Sequence, residues 1–202
     1  MTHELATTEP VGRREELKAQ NRAKLMAAAR KVFAEKGFGA ATTRDIVRET
    51  DLASGTFYNY FEDKNEIFSA LISELGEKMR AAARAQRARP GAVEERLENA
   101  YRAYFQLVVE ERELFEMVRR NAGLIDSELF EASIRELALD LARWTDAGEL
   151  PTIDLDYVAT AMVGIAFQIG THLIDRDPPD IDAAARFCTR LCFRGIVGMA
   201  QA

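Results

Sequence analysis

The chain has 202 residues and a formal net charge of −6, and 48% of its residues are hydrophobic. This length and composition suit one or two globular domains with real cores, and no stretch approaches the roughly 18 uninterrupted apolar residues of a membrane span. The first ten residues are polar and acidic, unlike a signal peptide. Two cysteines, Cys188 and Cys192, are too few for a disulfide framework, so we expect a cytoplasmic protein.

Charge is distributed unevenly along the chain. Residues 1–64 carry 11 basic and 10 acidic side chains, whereas the remainder carries 16 basic and 23 acidic ones. An acidic body is repelled by nucleic-acid phosphates, so any contact with DNA is expected from the N-terminal third.

Helical periodicity predicts an all-α fold, and strand signals are nearly absent. Residues 1–14 are predicted to be a disordered tail. A first helix is predicted from about Glu15 to Lys36, with Gly37 where a C-terminal glycine belongs. Its apolar stripe comprises Leu25, Met26, Ala29, Val32 and Phe33.

Two short helical pieces follow the first helix. Thr42 and Asp45 have the spacing of a capping box and begin the first piece, which ends near Thr50. A tight turn over residues 51–53 leads to the second piece, at about residues 54–61.

Asp63 and Glu66 form a further capping box, which opens a long helix that ends before the breaker Arg89-Pro90-Gly91. Glycine and proline breakers then separate the later helices. These are predicted at about residues 92–110, 112–122, 127–147, 154–175 and 180–200.

The two short pieces cannot be stable alone and must pack together against the first helix. Buried contacts are expected from Ile46, Val47, Leu52, Phe57 and Phe61. The side chains left near the surface are Ser54, Gly55, Thr56, Tyr58, Asn59 and Tyr60. Small and hydroxyl-bearing residues let such a helix enter a DNA groove, which is typical of a helix-turn-helix whose second helix reads the bases.

At these residues the chain resembles the TetR family of transcriptional regulators. The resemblance lies in residues 28–38, 41–46, 54–61 and 63–64, and it extends over about residues 20–72. It implies a three-helix helix-turn-helix DNA-binding domain at 15–62. It also implies a helical bundle at 63–202 that binds an effector and forms a homodimer.

The resemblance assigns DNA contacts residue by residue. Thr42 and Thr43 would hold a phosphate, Arg44 would reach a base edge or phosphate, and Lys64 would pair with a phosphate. The implied reading surface consists of Ser54, Gly55, Thr56, Tyr58, Asn59 and Tyr60. A basic arm could add backbone or minor-groove contacts through Arg13, Arg14, Lys18 and Arg22, or it could simply be a solvated helix start.

The C-terminal helices carry many aromatic side chains, which form either an ordinary bundle core or the wall of the implied effector pocket. The candidate ligand contacts are Tyr101, Tyr104, Phe105, Phe115, Arg119, Asn121, Phe130, Trp144, Phe167 and His172. Few charges fall on the inward stripes, so we expect a largely apolar effector, acyl or aromatic, with one polar or acidic end.

The last two helices are expected to form the homodimer interface. Their candidate residues are Met162, Ile165, Ile169 and Leu173 with Gly164 and Gly170, and Phe187, Leu191, Gly195 and Gly198. An alternative is a metal site built from His172, Asp175, Cys188 and Cys192, although cysteines four residues apart on a helix are usually small buried hydrophobes.

An enzyme is disfavoured, because the chain has only two histidines and lacks a nucleophile–base signature, a phosphate loop or a metal-ligand cluster. No catalytic residue, metal or cofactor is predicted. The sequence therefore predicts a ligand-responsive repressor bound to a palindromic double-stranded operator. The alternatives are a helical interaction protein without DNA binding and, last, an enzyme.

Overall fold

The computed structural model describes residues 11–121 and 128–199, and these ranges contain only helices and connecting turns. The α-helices are α1 (Val11–Ala40), α2 (Thr43–Arg48), α3 (Lys64–Arg87), α4 (Val93–Glu110), α5 (Arg112–Arg120), α6 (Glu128–Asp146), α7 (Leu155–Ile174) and α8 (Ile181–Met199). A 3-10 helix covers Ser54–Asn59. The all-α prediction is confirmed. Residues 122, 127 and 200, predicted at helix ends, lie outside the described ranges.

The chain divides into two compact units, and the boundary falls between Leu71 and Ile72. Helix α3 runs through this boundary without interruption, so it contributes its first eight residues to unit 1 and the rest to unit 2. Each unit contains buried apolar residues of its own.

Unit 1 is built on the apolar stripe of α1. All five predicted stripe residues are buried, with Leu25 and Ala29 fully so. Ile46 and Phe57 are fully buried against the same core, while Leu52 is only half-buried. The predicted packing of the two short helices is therefore confirmed at four of its five positions.

The ends of α1 differ from the sequence prediction. The helix already includes residues 11–14, which were assigned to a disordered tail, and the tail residues 1–10 lie outside the described ranges. The apolar stripe begins only at Leu25, but the Arg, Glu, Lys and Ala residues before it favour helix on propensity alone. Gly37 ends the regular helix with φ of 76°, a conformation that glycine adopts without strain.

The second short element is a 3-10 helix, whereas the base-reading helix of a helix-turn-helix was expected to be an α-helix. Thr56 N–H donates to the Ala53 carbonyl at 2.8 Å, and Tyr60 N–H donates to the Phe57 carbonyl at 3.0 Å. Glycine, β-branched and aromatic residues have low α-helical propensity, and so short a segment gains little from longer-range bonds.

Unit 2 is a helical bundle in which α4 packs against both α7 and α8, and α6 packs along α7. Its core includes Leu97, Phe105, Leu141 and Ala159, each at most 1% exposed. The capping box predicted to open α3 is half confirmed: Asp63 accepts from the Glu66 N–H at 2.9 Å, while the Glu66 carboxylate accepts from the N–H of Glu62.

Helix α7 is the most apolar segment, with a mean hydropathy of 1.4 over its 18-residue window. By length and composition it would meet the criteria for a membrane span, contrary to the sequence prediction. The sequence prediction looked for an uninterrupted run of apolar residues, and Asp156 and Gln168 interrupt this one. The mean hydropathy of the whole window stays high despite these two residues. In the bundle, 44% of this window is buried.

Candidate DNA-binding surface and ligand cavity

The start of α2 is fixed by a complete capping box. The Asp45 N–H donates to Thr42 Oγ1 at 3.2 Å, and the Thr42 N–H donates to Asp45 Oδ2 at 3.0 Å. Lys36 donates to the other carboxylate oxygen at 2.7 Å. Hydrogen bonds from Lys36 and Thr42 to the carboxylate lower the pKa of Asp45 to about 2. The predicted capping box is confirmed.

Three lysines of α1 are paired with carboxylates of the following segment. Lys24 reaches Asp51 at 2.9 Å, Lys31 reaches Glu49 at 2.6 Å, and Lys36 reaches Asp45. The Glu49 hydrogen bond raises the pKa of Lys31. These pairs tie α1 to α2 and the turn after it, so their charges are neutralised locally.

The predicted DNA-contact residues lie together in unit 1, mostly at its surface. Exposed side chains are Thr42, Arg44, Ser54, Tyr58 and Asn59, with Gly55 exposed between them. Thr43, Thr56 and Tyr60 are half-buried. Tyr58 is 64% exposed even though its ring lies edge-on to the buried Phe57. Arg44 is exposed and makes no ion pair with any described residue.

Lys64, for which a phosphate contact was predicted, makes hydrogen bonds within unit 1. Its ammonium donates to the carbonyls of Phe38, Gly39 and Ala41 at 3.0, 3.0 and 3.1 Å. An ammonium has three donors, so all three are already used inside unit 1. The half-buried side chain closes the turn that leads into α2. A phosphate contact from Lys64 would require breaking one of these bonds.

Unit 2 contains an apolar cavity of about 140 Å³ between α3, α4, α5, α6 and α7. Its aromatic wall consists of Tyr101, Tyr104, Phe115, Phe130 and Phe167. Its aliphatic wall consists of Ile72, Leu75, Met79, Ala83, Leu97, Ala100, Val118, Leu137, Met162, Val163 and Ala166. Burial among these groups raises the pKa of the Tyr104 hydroxyl. Five of the ten predicted ligand contacts thus line one cavity.

The other five predicted contacts lie elsewhere, each for a physical reason. Phe105 is fully buried in the solid core, and Trp144 is covered by the Arg96 guanidinium at 4.7 Å. The remaining three are polar and do not line the cavity. Arg119 pairs with Asp175, the Asn121 amide donates to the Met117 carbonyl, and His172 is exposed on α7.

The polar end of the cavity was not predicted from the sequence. It is provided by Arg80, Arg87, Ser133 and Glu136. Arg80 and Arg87 are two helical turns apart on α3, so they share the face of Ile72. That spacing was a usable signal, but it is easily discounted because charged side chains on a helix are usually solvated.

An exposed apolar face follows α7 and α8. Of the seven large apolar side chains that the described residues expose, four lie on these helices: Tyr157, Phe187, Leu191 and Val197. The opposite face of α8 is buried through Ala185, Cys188, Cys192 and Ile196. Thus α8 is apolar on two sides, and only one of them is covered within the subunit.

Three residues assigned to the dimer interface are buried inside the subunit instead. Met162 and Leu173 are only 3% and 2% exposed. A Cβ at Gly170 would lie 3.3 Å from the Phe115 ring, so this glycine admits the α5 aromatic at the cavity wall. Helical spacing alone does not say which of two apolar faces is covered.

The metal alternative finds no support in the geometry. Within residues 11–121 and 128–199, no group of three or more His, Cys, Asp or Glu side chains is arranged to hold an ion. Cys192 instead accepts a hydrogen bond from the Tyr101 hydroxyl at 3.4 Å, and burial raises the pKa of Cys188 to about 12.

Residues 25–71 match the sequence profile of the family described as bacterial regulatory proteins, tetR family. Residues 25–71 therefore form a DNA-binding domain of the tetR type. The match coincides with the helix-turn-helix of unit 1, and it confirms the resemblance inferred from the sequence. Proteins of the tetR family are DNA-binding transcriptional regulators and are in general not enzymes.

Solved structures share the fold of both units. A TetR-family regulator from Syntrophomonas wolfei has a TM-score of 0.79 and 19% identity, over 90% of this chain and 97% of that one. The fatty acid degradation regulator FadR from Bacillus halodurans has a TM-score of 0.74 and 22% identity, over 87% and 95%. FadR from Bacillus subtilis, solved with stearoyl-CoA, has a TM-score of 0.74 and 20% identity, over 86% and 98%.

Proposed function

We propose that the chain is a regulator of the TetR type, a homodimeric cytoplasmic repressor that leaves a palindromic operator when a small, largely apolar effector binds in unit 2. The observation that carries the proposal is the surface around Tyr58. A tyrosine that is 64% exposed beside small polar residues, on a helix-turn-helix, is chemistry suited to a DNA groove.

The DNA contacts follow from exposure and donor capacity. Thr42 and Thr43 at the start of α2 are proposed to hold a phosphate, and Arg44 to reach a base edge or phosphate, because its guanidinium is free to donate. The reading surface is proposed to run from Ser54 to Tyr60, with Phe57 as its buried support. Lys64 is proposed to act indirectly, by holding the turn before Thr42.

The effector is proposed to be an acyl or aromatic compound with one polar end. The wall of the cavity is aromatic and aliphatic, and a sugar or nucleotide would leave its polar groups unpaired at about 1–3 kcal/mol each. Two proteins of the same fold are named as FadR, and one was solved with stearoyl-CoA, which is consistent with an apolar ligand.

Dimerisation is proposed to bury the exposed face of α7 and α8. Ile165 and Ile169 remain half-buried, and Phe187 and Leu191 are 54% and 51% exposed. Apolar patches of this kind mark protein–protein contacts. A two-fold dimer on B-DNA would place its two reading helices one turn apart, about 34–36 Å.

Helix α3 supplies a physical route for the switch. Its first turns carry Lys64 and Phe68 of unit 1, and its later turns carry Met79, Arg80 and Arg87 of the cavity. A ligand that fits the cavity of only one conformation stabilises that conformation. We propose that effector binding shifts α3 and thereby the spacing of the two reading helices.

Selection of DNA by the full chain tests the function. The purified protein is incubated with a random double-stranded library, and bound molecules are amplified and sequenced. We expect enrichment of a two-fold symmetric motif whose half-sites are one helical turn apart, about 10 base pairs. Enrichment of no motif, or of an asymmetric single half-site, would contradict the proposal.

A further inference from the structure

The polar end of the cavity contains two buried atoms that lack hydrogen-bond partners. These are Arg80 Nη1, a donor from α3, and Glu136 Oε2, an acceptor from α6. Neither atom has a partner in the part of the chain that the structure describes. Both residues line the cavity.

Several other polar atoms nearby are already hydrogen-bonded. Arg80 Nη2 donates to Glu77 at 2.7 Å, and Arg84 Nη1 donates to Glu136 Oε1 at 2.9 Å. Arg87 Nη2 is 4.0 Å from Glu136 Oε2, beyond hydrogen-bond distance, because its Nε is held by Asp140. The surrounding ion pairs therefore leave one fully buried donor and one fully buried acceptor at this end of the cavity without a hydrogen bond.

The guanidinium and the carboxylate that carry the unused donor and acceptor are close neighbours. Arg80 Nε lies 3.8 Å from Glu136 Oε1, so the guanidinium and the carboxylate face each other across a short gap. A buried polar group without a partner is destabilising, and most such groups in proteins are paired with protein, water or ligand. A bound molecule that pairs with both atoms would remove that cost.

We propose that the effector presents to Arg80 Nη1 and Glu136 Oε2 a neutral group that both accepts and donates a hydrogen bond, such as a carboxamide or a hydroxyl. This inference rests on the proposed function, because it takes the cavity to be the effector site. It narrows the polar or acidic end expected from the sequence to a neutral polar group.

The local charges favour a neutral group over an ion. The four least exposed charges here are Arg80, Arg87, Glu136 and Asp140, two of each sign. A carboxylate has no hydrogen to donate, so it would leave Glu136 Oε2 unpaired and add a like charge beside it. An ammonium has no acceptor, so it would leave Arg80 Nη1 unpaired and add a second positive charge beside the guanidinium.

The volume of the cavity sets the size of the apolar part. At about 140 Å³ it is similar to cavities of about 150 Å³ that hold one benzene molecule. A chain of about six carbons with a small head group is therefore a suitable probe.

Calorimetric titration of the full chain with four six-carbon probes tests the inference. Hexanamide and 1-hexanol carry the neutral donor–acceptor group, and hexanoate and hexylammonium are charged at about pH 7.5. We expect both neutral probes to bind at least about tenfold more tightly than either ion, a difference of about 1.4 kcal/mol. Equal or tighter binding of hexanoate, or no binding of any probe, overturns the inference.

A substitution at Glu136 then tests whether the preference for a neutral head group arises at the polar end of the cavity. Glu136→Gln removes the negative charge and adds amide donors, so the affinity of hexanoate relative to hexanamide should rise at least about tenfold. Glu131→Gln makes the same change at an exposed position of α6 and should leave that ratio unchanged. If Glu136→Gln also leaves the ratio unchanged, the head group does not lie at Glu136.

Failure of the proposed head group can be distinguished from failure of the proposed function. DNA selection requires no ligand and tests the regulator by itself. If a palindrome is selected but hexanoate binds best, the chain is still a DNA-binding regulator, and only the neutral head group is contradicted.

Discussion

The Lys64 ammonium lies 3.0 Å from the carbonyl oxygen of Gly39 and 4.8 Å above the ring of Phe38. Through these contacts α3 closes the end of α1 immediately before the capping box of α2. The cation that the sequence assigned to a phosphate therefore stabilises the turn that positions Thr42 and Arg44.

Replacing Lys64 with alanine should destabilise unit 1 without removing a direct phosphate contact. Three carbonyl oxygens would be left without a charged donor near the end of a helix, so the free energy of unfolding should fall by about 1–2 kcal/mol. The salt dependence of operator binding should keep its slope. Arg44→Ala is the comparison, and it should lower the slope by about 0.9 for each phosphate that Arg44 neutralises. If both variants showed the same salt dependence, weaker than that of wild type, Lys64 would contact a phosphate directly.

The capping box of α2 should make unit 1 respond to acid in a defined range. The pKa of Asp45 in the folded chain is about 2, below its ordinary value of 3.8. The stability that this carboxylate contributes is therefore fully present above about pH 4 and is lost as the pH falls through about 2.

Urea unfolding of wild type and Asp45→Asn at several pH values measures this contribution. The wild type should be more stable by a constant amount between about pH 5 and 7, and the difference should shrink on acidification below about pH 4. A difference that does not change down to about pH 2 would show that the ionised carboxylate is not its source.

The ion pair between Arg87 and Asp140 should be important for unit 2. Arg87 Nε donates to Asp140 Oδ2 at 2.5 Å, and the side chains are only 9% and 8% exposed. Asp140→Ala leaves a buried guanidinium short of its partner and should lower the free energy of unfolding by about 3 kcal/mol.

The double variant Arg87→Met, Asp140→Leu should recover most of that stability, because no buried charge is left unpaired. Arg112→Ala, which breaks an exposed pair with Glu116, is the control and should cost less than about 1 kcal/mol. The free energies of unfolding of the single, double and control variants are measured by denaturant unfolding. A double variant no better than the single one would contradict this role of the pair.

The proposed dimer interface can be tested by one charge on α8. Leu191 is 51% exposed within the subunit, and Leu191→Glu would place a carboxylate in the buried dimer face. Leu139→Glu is the matched control, since Leu139 is 63% exposed on α6. Light scattering during size-exclusion chromatography should find dimers for wild type and Leu139→Glu and monomers for Leu191→Glu at micromolar concentration. Dimeric Leu191→Glu would exclude this face.

Local signals in the sequence were sufficient for the presence of the helices and for the starts of α2 and α3, although not for the start of α1. Thr42 and Asp45 form the predicted capping box, and α3 and α6 end two residues before their breakers at Arg89 and Gly148. These features depend on residues close together in sequence, whose preferences survive in most tertiary environments.

The cavity was only partly predictable because its geometry depends on residues distant in sequence. Aromatic spacing indicates that Trp144 and Phe130 both face inward, but not that one meets a solid core and the other an open space. The pairing of Arg87 with Asp140 joins residues 53 positions apart. The same limit applies to Lys64, whose carbonyl partners precede it by 23 to 26 residues.

The most direct test of the regulator is the affinity of the selected operator for Tyr58→Ala, measured by fluorescence anisotropy. Tyr58 and Leu139 are 64% and 63% exposed, so Leu139→Ala controls for the removal of an exposed apolar side chain. If the surface from Ser54 to Tyr60 reads DNA, Tyr58→Ala should weaken binding at least about tenfold, or about 1.4 kcal/mol, with an unchanged thermal midpoint. Leu139→Ala should bind like wild type. Wild-type affinity for Tyr58→Ala would contradict the proposed reading surface.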